Sequence, residues 1–140
     1  MEFFRNDMKT RVRAIIVQDG YLLLIHRVKN GKEYWVFPGG GLEDSDLAPQ
    51  SGLKRECQEE LGVYVSVDSI FTEQVFETQI EIFYICSIIS GEIGTGQGPE
   101  SRCDPRLSGT YELQWILISD LDKKNVQPVE VRDKISISFG

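Results

Sequence analysis

Glu56, Glu59 and Glu60 carry the strongest chemical signal in this sequence. On an α-helix, at 100° per residue, they fall within roughly one third of the circumference. Like charges at i and i+4 disfavour a helix by a few tenths of a kcal/mol. Negative charge near a helix C-terminus also opposes the macrodipole. Stability alone would not place three carboxylates there, whereas a bound hard cation removes both objections. Magnesium takes oxygen ligands and usually keeps waters and substrate phosphates. The alternative is a solvated acidic face, with Arg55 pairing to Glu59 across one turn. Context favours the metal: Gly39-Gly40-Gly41 follows a strand-like run and Pro38. Glycines there let backbone amides and carbonyls approach a ligand closely. Strand, glycine turn, helix and carboxylates together would build a metal–phosphate site.

The positioning elements are legible on both sides. Residues 48–61 read as the helix, since Leu53, Cys57 and Leu61 recur every four residues. Pro49 suits its first turn and Gly62 its end. Gly52 costs about 1 kcal/mol relative to Ala inside it. Upstream, residues 10–17 and 21–26 read as a hairpin about the Asp19-Gly20 turn. Asn30-Gly31 is a second turn, and residues 34–37 a short aromatic strand. Downstream, 63–67, 70–76 and 80–90 read as strands, and the glycine-rich stretch 91–109 as a long loop. A strand at 111–118 follows, then short helices near 119–121 and 129–134. Strands on both sides of one prominent helix predict an α+β class, a mixed α/β/α sandwich with a central sheet flanked by helices.

Composition bounds the rest. The chain has 140 residues, one domain's worth, so residues 1–140 are expected to form a single domain. With 41% apolar residues it has enough for a core. Acidic residues number 22 against 15 basic ones, a net charge of −7. That argues against electrostatically driven nucleic-acid binding; an acidic protein can still handle phosphates through a divalent cation. Cys57, Cys86 and Cys103 form no C-x-x-C pair and read as reduced structural thiols. Residues 1–7 are too polar for a signal peptide, and no run approaches a membrane span. A cytoplasmic location, with no membrane partner, is expected.

The stretch from Gly40 to Val63 resembles the Nudix box, G-x5-E-x7-R-E-U-x-E-E-x-G-U with U aliphatic. Arg55, Glu56, Glu59, Glu60, Gly62 and Val63 match, and Cys57 stands at a U position. Pro38-Gly39-Gly40-Gly41-Leu42-Glu43 is similar to the family's P-G-G-x-U-E lead-in. The opening hairpin and Trp115-Ile116-Leu117-Ile118-Ser119-Asp120-Leu121 also resemble Nudix hydrolases, the MutT-like pyrophosphohydrolases, so the likeness spans roughly residues 10–122. The sequence departs at the first box glutamate, which falls on Asp46, with eight residues before Arg55 instead of seven. The extra residue can be absorbed in the loop or the first helical turn without rotating Glu56, Glu59 and Glu60 relative to one another.

The resemblance implies Mg²⁺- (or Mn²⁺-) dependent hydrolysis of the pyrophosphate in a nucleoside diphosphate linked to another moiety. Carried over by position, it implies Glu56 and Glu60 as metal ligands, Glu59 as a third carboxylate, and the Gly40 carbonyl as a backbone ligand. It implies Glu56, or a glutamate outside the box, as general base, and Arg55 as the residue that orients Glu59. Glu112 or Glu100 would supply an outside carboxylate, with Glu112 preferred. Arg27 and the Gly39, Gly40 and Gly41 turn are the substrate-binding candidates. The ADP-ribose subclass tends to carry a proline some sixteen residues past the box; none occurs here between Pro49 and Pro99, which favours nucleoside triphosphates. A homodimer is compatible with this reading. The rival is a nucleotide-binding sensor module that does not cleave its ligand.

Three other features carry less. The 94–99 glycine run lacks the Lys-Ser/Thr and the helix of a phosphate loop. His26, the single histidine, reads as structural. Tyr34, Trp35 and Phe37 could stack on a base, with core packing the default for at least two of them.

Overall fold

Strand β1 (Lys9–Gln18) is the spine of the molecule. In the computed structural model, which describes residues 9–76, 78–94 and 109–140, it pairs with strands on both sides. β2 (Tyr21–Lys29) returns antiparallel through Asp19-Gly20, and β3 (Lys32–Val36) follows through Asn30-Gly31. Both turns need positive φ at each central residue. The values are 53° and 81°, then 54° and 75°. β4 (Gly39–Gly41) pairs antiparallel with β1, α1 spans Pro49–Leu61, and β5 (Val63–Phe76) and β6 (Gln79–Gly91) form a long hairpin. β6 lies parallel to β1, and β7 (Glu112–Leu117) lies antiparallel to β2. A 3₁₀ helix (Ile118–Lys123) leads towards α2 (Val129–Phe139). The described strands form one mixed sheet in the order β3-β2-β1-β6-β5, with β4 on β1 and β7 on β2.

The sheet is covered on both faces, as a central strand buried on both sides requires. Val12, Ala14 and Ile16 of β1 pack with Leu53, Cys57 and Leu61 of α1 and with Val63, Tyr84 and Cys86. Ile15 points the other way, to Leu22, Leu24, Phe37, Phe83, and Val131 and Ile135 of α2. Each such buried aliphatic side chain contributes about 1.5–3 kcal/mol. This is the expected α/β/α sandwich. Among the described residues no helix is long and apolar enough to cross a membrane.

Three details differ from the pattern in the sequence. The runs 63–67 and 70–76 are one strand, because register shifts at Val67/Ser69 and Ile70/Thr72 let β5 stay paired with β6 through the break. The glycine turn is itself a short strand, Gly40 opposite Val12. Gly39 has φ 141°, and a Cβ there would collide with the Val12 carbonyl, so only glycine allows this approach. Helix α2 runs on to Phe139. Residues 95–108, with Glu100, Cys103 and most of the glycine run, lie outside the described residues.

Candidate active site

Helix α1 ends where Gly62, at φ 81°, donates its N–H to the Cys57 and Gln58 carbonyls. That cap fixes which side of the last turns faces β4. Glu60 is 8% exposed, and its Oε1 accepts the Gly39 N–H at 2.9 Å. Glu56 lies one turn earlier, over Gly40: a Cβ on Gly40 would sit 2.5 Å from its Oε2. The two carboxylates and the Gly39–Gly41 backbone line a cleft of about 460 Å³. Its other walls are Arg11 and Arg13 of β1, Ile25 and Arg27 of β2, Tyr34 and Val36 of β3, and Tyr111 before β7.

Arg55 sits at the edge of this cleft as a hub. Its Nε and Nη2 donate to Asp46 at 3.2 and 3.0 Å, Nη2 also to the Gly41 carbonyl at 3.3 Å, and Nη1 to Glu59 at 3.2 Å and Glu56 at 3.4 Å. Asp46 further accepts the Glu43 N–H at 2.7 Å. The bond to Arg55 first, and that N–H second, hold the Asp46 carboxyl below its ordinary value; Asp46 in turn is the main cause raising Arg55. So Asp46 reaches Arg55 despite the extra residue. Gly52 explains how the helix accommodates this: a Cβ there would strike Leu42 and the Asp46 carboxylate. The helix-weakening glycine makes room for the lead-in loop.

The arginines are held as firmly. Arg27 donates Nε to the Thr110 carbonyl at 2.9 Å, and its Cζ lies 4.1 Å from the Tyr111 ring centroid and 5.9 Å from that of Tyr34. Arg13 donates Nε to Glu81 at 2.9 Å and Nη1 to the Phe37 carbonyl at 3.2 Å.

Of the residues singled out from sequence, the fold brings Glu56, Glu60, Gly39, Gly40, Gly41 and Arg27 into one cleft. Glu59 is not among its lining; its side chain is half exposed and held by Arg55. Glu112 is a correction. It pairs opposite His26 on β7, so alternation directs it to the face away from Arg27, where its Oε1 lies 3.5 Å from His26 Nδ1. His26 also meets Glu33 at 2.7 Å and stacks on Trp35 at 4.7 Å, a structural setting. Trp35 and Phe37 are core residues. Arg11, Arg13 and Tyr111 were not singled out in the sequence. The polar–apolar alternation Arg11-Val12-Arg13 is the signal that marks one face of β1 as polar at its N-terminal end. Cys57 and Cys86 are free and buried; burial raises both thiols, Cys86 to about 12, so neither is a ready nucleophile.

Among the described residues, no three acidic, histidine or cysteine side chains converge as a ready metal cage. Two carboxylates and a glycine backbone nevertheless line one cleft, a hard-oxygen donor set. That chemistry fits an ion that completes its shell with water and phosphate oxygens rather than with an all-protein cage.

The family model for the NUDIX domain matches residues 8–133. The chain therefore belongs to the NUDIX family. It is 45% identical over 57 residues to a MutT-like protein of Streptomyces ambofaciens, a match covering 41% of this chain and 35% of that relative's length. The fold is similar to a MutT structure described for Aliivibrio salmonicida and Vibrio cholerae (TM-score 0.71, 18% identity, 94% of this chain and 98% of that one). It is also similar to an ADP-ribose pyrophosphatase of Streptococcus suis (TM-score 0.58, 22% identity, 80% and 75% of the two chains).

Proposed function

We propose that this chain is a metal-dependent pyrophosphohydrolase, cleaving a phosphoanhydride bond in a nucleoside diphosphate linked to another moiety. Nucleoside triphosphates are favoured over ADP-ribose. The observation that carries this reading is the pairing of Glu56 and Glu60, in one cleft, with glycine backbone and arginine walls. Glu56, Glu60 and the Gly40 carbonyl are the groups that would hold Mg²⁺ or Mn²⁺. The chemistry such an ion supplies when bound is charge neutralisation at the diphosphate and acidification of water.

The chain's own groups do the rest. Arg27, braced by Thr110 and Tyr111, binds phosphate oxygens. Tyr34 and Tyr111 offer ring faces to a nucleoside. Glu56 is the candidate general base. Arg55 orients Glu56 and Glu59 and ties the helix to Asp46 and Gly41. Two free, buried thiols suit the reducing cytoplasm.

The test is incubation of the purified protein, with Mg²⁺ and with EDTA, against nucleoside triphosphates (ordinary and oxidised), ADP-ribose, dinucleoside polyphosphates and nucleotide sugars, with product identification. Mg²⁺-dependent release of two phosphorylated products is expected. Inertness towards every member would overturn the reading.

A further inference from the structure

Arg13 and Glu81 form an ion pair at the boundary between the polar cleft and the apolar core on the α2 side. They come from β1 and β6, 68 residues apart, and meet at 2.9 Å. Their side chains are only 18% and 11% exposed. Alternation places them on the same sheet face as Ile15 and Phe83, beside Phe37, at the rim of the α2-side core. A buried ion pair is weak as a source of stability, and well-packed apolar residues of similar volume often serve as well or better.

Glu81 takes the Nε–H of Arg13 and the Phe37 carbonyl takes an Nη1–H, which fixes the plane of a guanidinium that also lines the cleft. What such a clamped group can offer a ligand is its outer Nη edge, suited to phosphate oxygens. The cleft also holds Arg11 and Arg27, so three guanidiniums face two carboxylates. With those carboxylates committed to a dication, the cleft suits more negative charge than a doubly esterified diphosphate carries. A terminal phosphate monoester carries about −1.5 to −2 at pH 7, with three acceptor oxygens.

We propose that Arg13 is a specificity-determining residue that reads the terminal phosphate of a nucleoside polyphosphate, and that Glu81 is the positioning residue that aims it. The proposal rests on the pyrophosphohydrolase reading above and sharpens its substrate class. ATP and ADP-ribose form the matched probe, since both contain adenosine diphosphate and they differ in what caps it. Charge-assisted hydrogen bonds imply that Arg13→Gln lowers kcat/KM for ATP by about 10- to 100-fold more than it lowers that for ADP-ribose. Arg13→Lys recovers part of the loss. Glu81→Gln lowers the ATP/ADP-ribose ratio in the same direction by less, through KM more than kcat. Should Arg13→Gln fail to fold because Glu81 is stranded, the Arg13→Met/Glu81→Leu double variant removes both charges and should fold with the same selective loss. Calorimetric binding of non-hydrolysable analogues of both nucleotides in Mg²⁺ gives a readout independent of turnover. Absence of wild-type hydrolysis would overturn the function, while the ATP/ADP-ribose binding ratio would still decide the role of Arg13. A ratio unmoved by every variant overturns the proposal.

Discussion

The two faces of the β2–β3–β7 strands are one residue out of step and chemically unlike. On one, Arg27, Tyr34 and Tyr111 join Glu56, Glu60 and the glycine strand around an open cleft. On the other, His26, Glu33, Trp35, Glu112 and Gln114 satisfy one another: His26 lies between two carboxylates, and Trp35 Nε1 donates to Gln114 at 2.9 Å. Both faces hold acidic and aromatic residues, so composition cannot tell them apart. The difference is what the charges meet. On the closed face each acid answers a neighbouring donor. On the open face arginines, braced from behind by Glu81, Phe37 and Thr110, border a cavity. A site is marked less by which residues it contains than by polar groups held in place around empty space.

Variants on the two faces should separate them, and the largest effect is expected at Glu60. Glu60→Gln keeps an oxygen for the Gly39 N–H but removes a charge, so turnover should fall at least about 100-fold in steady-state assays while the circular dichroism spectrum is unchanged. Near-normal rates would remove Glu60 from the ligand set. Gly40→Ala comes next: the new Cβ must displace the Glu56 carboxylate, and misplacing a catalytic group by about 1 Å can cost on the order of 100-fold. Its melting temperature should change little, because the far end of a flexible side chain can yield.

Asp46→Asn should act mainly on stability. In the folded state the Asp46 carboxyl titrates below its ordinary 3.8, so its contribution is complete above that value and is lost as pH falls through the lower folded one. The variant should melt earlier at pH 7 and show a flatter acid limb below about pH 4 in a thermal-shift series. An unchanged acid limb would mean that the Asp46–Arg55 pair contributes nothing. Glu112→Gln, on the closed face, should change kcat/KM by less than about twofold. A loss as large as that of Glu60→Gln would mean that β7 turns the other way.

Much of this was legible because it is local. The box is contiguous, so its carboxylates are ordered by helical geometry alone. The two turns announce themselves through Asp19-Gly20 and Asn30-Gly31, and Leu53, Cys57 and Leu61 mark the buried stripe of α1. Other features were not legible, because each depends on a partner far along the chain. β5 remains one strand only because β6 stays paired with it across the register shifts. Gly39–Gly41 is a strand only because β1 accepts it.

By itself, the sequence determined the hairpins, the helix and its acidic face, since backbone preference and periodicity act within a few residues. Tertiary structure decided which carboxylates share a cavity. It turned Glu112 away by a single step of strand alternation, left Glu59 with Arg55, and joined Arg13 to Glu81 across the sheet. Side-chain direction on a strand reverses at every residue, and register is set by the whole sheet's packing rather than by any one segment.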